Sequence, residues 1–89
     1  MNLEELRGMI SGIDLEILNL MKKRLDLAKE VGLYKIENKK EVVDPSVEET
    51  VAERYRAFAE KNGMNPEYAE EVCRVLIRES VELQRSLLR

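Results

Sequence analysis

The sequence predicts an all-α fold of three helices, the first far longer than the other two. Three observations point there. Glycine and proline are scarce, 4 and 2 of 89 residues, so little interrupts regular backbone. Apolar residues recur at three- and four-residue intervals, with little β-branched alternation. Two pairs, Asp44-Pro45 and Asn65-Pro66, carry a capping side chain followed by a proline fit for the first helical position.

The first element runs from about Leu3 to Glu37 without a proline. Its apolar residues fall at Leu3, Leu6, Ile10, Ile13, Ile17 and Leu20, then at Leu27, Val31 and Tyr34, a spacing of helical type sustained over four heptads. Gly8, Gly12 and Gly32 each weaken a helix by up to about 1 kcal/mol. The apolar period nevertheless passes through all three without a phase change, so the segment reads as one helix. At 1.5 Å per residue it spans about 52 Å. A compact chain of this length has a radius of gyration near 12 Å and a diameter of about 30 Å. The helix is too long for its own monomer, and its apolar stripe calls for a second chain, most simply an antiparallel copy across a two-fold axis.

The second element begins at the Asp44 cap with Pro45 at N1, and Glu48 and Glu49 lie in the positive first turn. It continues through Val51, Tyr55 and Phe58 and ends at Asn62-Gly63, a C-terminal signal. The third starts from Asn65 and Pro66 and runs towards the C-terminus, with Val72, Leu76, Leu83 and Leu87 as its expected inner face. Residues 38 to 43 form the one substantial loop. No repeat, linker or low-complexity stretch divides the chain, so residues 1–89 read as a single domain.

Composition narrows the function. Cys73 is the only cysteine and there is no histidine, so neither a disulfide nor a metal cluster is expected to stabilise so small a core. A lone thiol suits a reducing compartment. The 15 basic and 18 acidic residues nearly cancel at net −3, without the basic surplus of a nucleic-acid binder. No apolar run approaches a membrane span, and Met1-Asn2-Leu3-Glu4-Glu5 lacks the regions of a signal peptide. A cytoplasmic location is expected. No serine or cysteine stands beside an evident base, which leaves orientation and electrostatics as the available catalytic means.

Several polar residues interrupt the apolar stripes. Arg24 occupies the seam position after Leu20, where a guanidinium is rarely buried without a partner. Lys35 lies three turns further on nearly the same face. In the third helix Ser80 breaks the stripe, and Gln84 follows four residues later. Each has an ordinary explanation alone: a snorkelling arginine, a helix-end lysine, a back-bonded serine, a solvated glutamine. Asp44 and Glu48 likewise suit the start of a helix. Arg7 lies about 25 Å along the helix from Arg24, so the two meet a common small ligand only if an antiparallel partner supplies one of them. Such a set reads a small, doubly anionic, oxygen-rich ligand, because guanidiniums clamp carboxylates in a bidentate fork.

These residues occur in a pattern that resembles the all-α class of chorismate mutases over essentially the full length. The pattern is Leu6-Arg7-x-x-Ile10 with Ile13-Asp14, then Arg24-x-x-Leu27-Ala28-x-Glu30-Val31-Gly32-x-x-Lys35. Val43-Asp44-Pro45 with Glu48 follows, and Ile77-x-Glu79-Ser80-x-x-x-Gln84 closes it. The resemblance implies a domain-swapped, intertwined homodimer that rearranges chorismate to prephenate without a cofactor, each site drawing on both chains. It implies that Arg24 and the partner's Arg7 bind the substrate carboxylates, and that Lys35 and Gln84 donate to the breaking ether oxygen. Glu48 and the Asp44 region would hold the ring hydroxyl, and Ser80 would help seat the ring carboxylate. One position departs: Val47 stands where many members of the family carry an arginine. An isochorismate pyruvate lyase or an amino-chorismate mutase on the same fold, or a non-catalytic helical regulatory module, are the alternative readings.

Overall fold

A computed structural model describes residues 1–89. Three helices account for nearly all of the chain: α1 (Leu3–Glu37), α2 (Pro45–Lys61) and α3 (Pro66–Ser86). Each begins at an Asx cap whose side chain accepts a first-turn amide. Asn2 takes that of Glu5, Asp44 that of Val47 and Asn65 that of Glu67. Pro45 and Pro66 occupy the first turns, where the missing N–H costs nothing. α2 ends in a left-handed Gly63 (φ 69°), and the Met64 amide reaches back to the Ala59 carbonyl, a Schellman closure. α1 closes the same way with Lys39 (φ 53°) in the left-handed position and the Lys40 amide on the Lys35 carbonyl.

α3 is the central helix. It packs against α1 on one side and α2 on the other, and α1 and α2 make no close approach to each other. Small residues set the contacts: Ala28 and Gly32 of α1, Ala52 and Ala59 of α2, Ala69 and Cys73 of α3 are all buried. An Arg56–Glu70–Arg74–Glu49 network ties α2 to α3 along their outer surface, with contacts of 2.6 to 3.1 Å. The expected inner face of α3 needs correction. Leu76, Leu83 and Leu87 are half-buried, but Val72 is 41% exposed and the buried line runs through Ala69, Cys73 and Gln84. Close helix crossings select residues small enough to let backbones approach, so the most apolar stripe and the most buried stripe are offset.

The chain is far from globular, measuring 54 × 25 × 14 Å with a radius of gyration of 16.1 Å. Only 7 of its 89 residues are buried. Every residue of α1 before Arg24 is exposed, including the whole run Leu3, Leu6, Ile10, Ile13, Ile17 and Leu20. No helix is long and apolar enough to cross a membrane.

Candidate functional site

Because α3 holds α1 and α2 apart, a cleft of about 330 Å³ opens between them. α1 supplies one wall with Arg24, Leu27, Ala28 and Val31, and α2 the other with Val47, Glu48 and Val51. Ile77, Ser80 and Gln84 of α3 form the floor. Four of the seven sequence-predicted site residues, Arg24, Glu48, Ser80 and Gln84, therefore meet in one place.

Arg24 is half-buried and has no carboxylate partner. Its Nη1 donates to Ser80 Oγ at 2.7 Å and to the Leu76 carbonyl at 3.2 Å. Ser80 donates its own hydrogen to the same carbonyl at 3.0 Å. Serine thus back-bonds within its helix and braces the guanidinium at once. Nη2 and Nε make no hydrogen bond within the protein, leaving a donor edge shaped for a carboxylate. The stem does not simply carry the charge out to water.

Gln84 is buried to 6% exposure, and its Nε2 donates to the Ala28 carbonyl at 2.9 Å. A primary amide has a second hydrogen, so one donor of Gln84 remains for a ligand. Glu48 is half-buried in the α2 wall and takes part in no ion pair or side-chain hydrogen bond. Its carboxylate is free to accept from a hydroxyl. Val47 and Val51 flank it with apolar surface.

Lys35 stands one turn beyond Val31 on α1, at the end of the cleft and outside its lining. Its Nζ donates to the Val42 carbonyl at 2.7 Å, fixing the loop against the helix end, and two ammonium hydrogens remain. Asp44 is exposed and caps α2; its Oδ1 accepts from Ser46 Oγ at 2.9 Å and from the Val47 amide. The Ser46 hydrogen bond foremost, then the Val47 amide and more weakly the Lys35 charge, hold its carboxyl below the usual aspartate range. Arg7 lies on the exposed N-terminal half of α1, and nothing within the chain brings it to the cleft. Arg54, the nearest basic residue on α2 after Val47, faces an apolar groove with Tyr55, Phe58, Met64, Tyr68 and Val72 instead.

Two contributors escaped the sequence. The Leu76 carbonyl is a backbone group and leaves no residue signature. Gly32 meets Gln84 of α3 and Leu87 at its C-cap so closely that a Cβ there would lie 2.8 Å from each; in sequence it belongs to the resemblance pattern, but nothing there signals this tight contact. Cys73 is buried and unpaired, and desolvation raises its thiol pKa, which keeps it in the inert neutral form.

The comparisons with known proteins agree with this architecture. Residues 6–85 match the family model for chorismate mutase type II. A Haemophilus influenzae protein named T-protein is 35% identical over 78 residues, 88% of this chain and 21% of its own length. A bifunctional chorismate mutase/prephenate dehydratase of Buchnera aphidicola subsp. Schizaphis graminum is 32% identical over 82 residues, 92% of this chain and 21% of its own. The chain thus spans about a fifth of the length of these relatives. A match that covers all but the outermost ends of the three helices, and every residue of the cleft, establishes that the chain belongs to the chorismate mutase type II family.

Proposed function

We propose that residues 1–89 form one mutase domain, which converts chorismate to prephenate for phenylalanine and tyrosine biosynthesis as an intertwined, domain-swapped homodimer. The observation that carries this reading is the unpaired donor edge of Arg24, facing a cleft that also holds a free carboxylate and a buried amide. The reaction is a concerted 3,3-sigmatropic rearrangement and needs no nucleophile or cofactor. Negative charge grows on the ether oxygen as its bond to the ring breaks, so a fixed donor there favours the transition state over the ground state. The second amide hydrogen of Gln84 and the free ammonium hydrogens of Lys35 serve as those donors. Arg24, with Ser80 behind it, clamps one carboxylate and the partner's Arg7 the other, holding the side chain over the ring. Glu48 accepts from the ring hydroxyl, and Asp44 acts through the loop end that Lys35 also touches.

The surface supports the dimer. The protomer exposes 7212 Å², whereas a compact monomer of 10.4 kDa would expose only about 5,400 Å². The excess, about 1,800 Å² per chain, lies in the range of an obligate two-chain interface. Exposed Leu3, Leu6, Ile10, Ile13 and Ile17 supply the apolar surface for it. A second α1 laid antiparallel brings the partner's Arg7 towards the open side of the cleft.

The test is direct. Purified protein is expected to consume chorismate, followed by loss of its absorbance, with prephenate as product and isochorismate left unchanged in a parallel assay. An absence of turnover by a folded dimer would overturn the assignment, and cleavage of isochorismate would redirect it to the lyase.

A further inference from the structure

Three of the four glycines lie in α1, and only one is crowded. Gly8 and Gly12 have nothing within 4 Å of where a Cβ would stand. At Gly32 a Cβ would lie 2.8 Å from Gln84 Cγ, 2.8 Å from Leu87 Cδ1 and 3.3 Å from Gln84 Cβ. The backbone there is ordinary α-helix, so glycine supplies space and not a special conformation. Gln84 uses that space to reach the Ala28 carbonyl at 2.9 Å. In an α-helix the same carbonyl also accepts the Gly32 amide. Gly32 and Gln84 therefore share one acceptor and press against each other.

We infer that Gly32 is a positioning residue for the rearrangement: its missing side chain sets how deeply Gln84 sits in the cleft floor and hence where the second amide hydrogen points. This rests on the proposed role of Gln84 as donor to the ether oxygen. A methyl group at position 32 would meet both Gln84 and Leu87, so a rotation of one side chain cannot absorb it. The amide must move outward or lose Ala28. Donors to a developing oxyanion act over a range of about 2.7–3.1 Å, so a displacement of several tenths of an ångström matters. The Arg24–Ser80 clamp lies about 12 Å away along α1 and stays in place. Substrate binding and the chemical step should then separate.

The experiment combines steady-state kinetics on chorismate with NMR of the Gln84 side-chain amide. It uses the full chain and the variants Gly32→Ala, Gln84→Ala, both together, and Gly32→Ala with Leu87→Ala. Gly32→Ala is expected to lower kcat about tenfold or more, with KM changed by less than about twofold. In the Gln84→Ala background it should cost nothing further. Leu87→Ala removes one of the two 2.8 Å encounters but leaves that with Gln84, so it should not restore the kcat of the Gly32→Ala chain. In the unaltered protein one Gln84 amide proton should be protected from exchange by its bond to Ala28, and Gly32→Ala should abolish that protection. Equal kcat losses in both backgrounds, or an unchanged Gln84 amide in Gly32→Ala, would overturn the inference. If the unaltered protein does not turn over chorismate, the proposed function fails on its own. The amide protection still decides whether Gly32 positions Gln84.

Discussion

Arg24 bonds through Nη1 alone, to Ser80 and the Leu76 carbonyl, and a half-buried guanidinium with two idle nitrogens favours an anion in the cleft. Lys35 is different, since its Nζ already donates to the Val42 carbonyl, so in the proposed reaction it would share its charge between the loop and the ether oxygen. Lys35→Ala is expected to lower kcat by about 10²–10³, the scale of losing one oxyanion donor, while sedimentation still reports a dimer. Near-normal turnover would remove Lys35 from the chemistry. Val47 leaves the α2 wall without a cation beside Glu48. Val47→Arg places a guanidinium there, and a charge-assisted hydrogen bond is worth about 1.5–3 kcal/mol. A fall in KM of about tenfold or more is the expected outcome, measured on chorismate. An unchanged or raised KM would show that the bound substrate does not reach this wall.

The helices themselves were readable because their signals are local. Asp44-Pro45, Asn65-Pro66 and Asn62-Gly63 each specify a boundary through one cap or one left-handed residue. Packing was less readable. Apolarity singled out Val72 and Phe58, which are exposed, whereas the buried residues between helices are alanines, Cys73 and Gln84. Size at a helix crossing depends on how near the neighbour comes, and no single-helix pattern encodes that. The same limit hid the tight fit at Gly32, while Arg24 and Ser80 stood out by breaking the stripes they sit in. The α2–α3 ion network is equally invisible in sequence, since Glu49 and Arg74 pair across two helices at 2.9 Å. It has a pH signature. Arg74 and then Arg56 lower the pKa of Glu49, and Arg56 and then Arg74 lower that of Glu70, below the ordinary 4.5. The unfolded chain therefore takes up protons first on acidification, so the network contributes fully above about pH 4.5 and loses its contribution as pH falls through the depressed folded values. Thermal melts should show an acid limb that Glu49→Gln/Glu70→Gln flattens, the two proteins converging at low pH. A constant gap between them at every pH would show that the carboxylate charges contribute nothing.

At the scale of the whole molecule, the chain is drawn out along a 54 Å axis. Arg7 and Arg24 lie about 25 Å apart along one helix, and the single chain offers no route by which they converge. If the cleft of one chain takes Arg7 from the other, two crippled proteins repair each other. In an Arg7→Ala chain the cleft keeps its own Arg24 and lacks only the partner's contribution; in an Arg24→Ala chain the reverse holds. A heterodimer of the two has one cleft with both arginines and one with neither. Random exchange puts half the chains into heterodimers, so about a quarter of the unaltered activity should return on mixing, because a two-fold dimer has two equivalent sites. Each parent alone should fall well below that level. Mass spectrometry of differently labelled chains would establish that exchange has occurred, and activity is then read on the same sample. Recovery near a quarter requires both arginines in one site from different chains. Exchange without recovery means that Arg7 serves its own protomer or none, and the intertwined arrangement of the site would have to be given up even if the dimer stood.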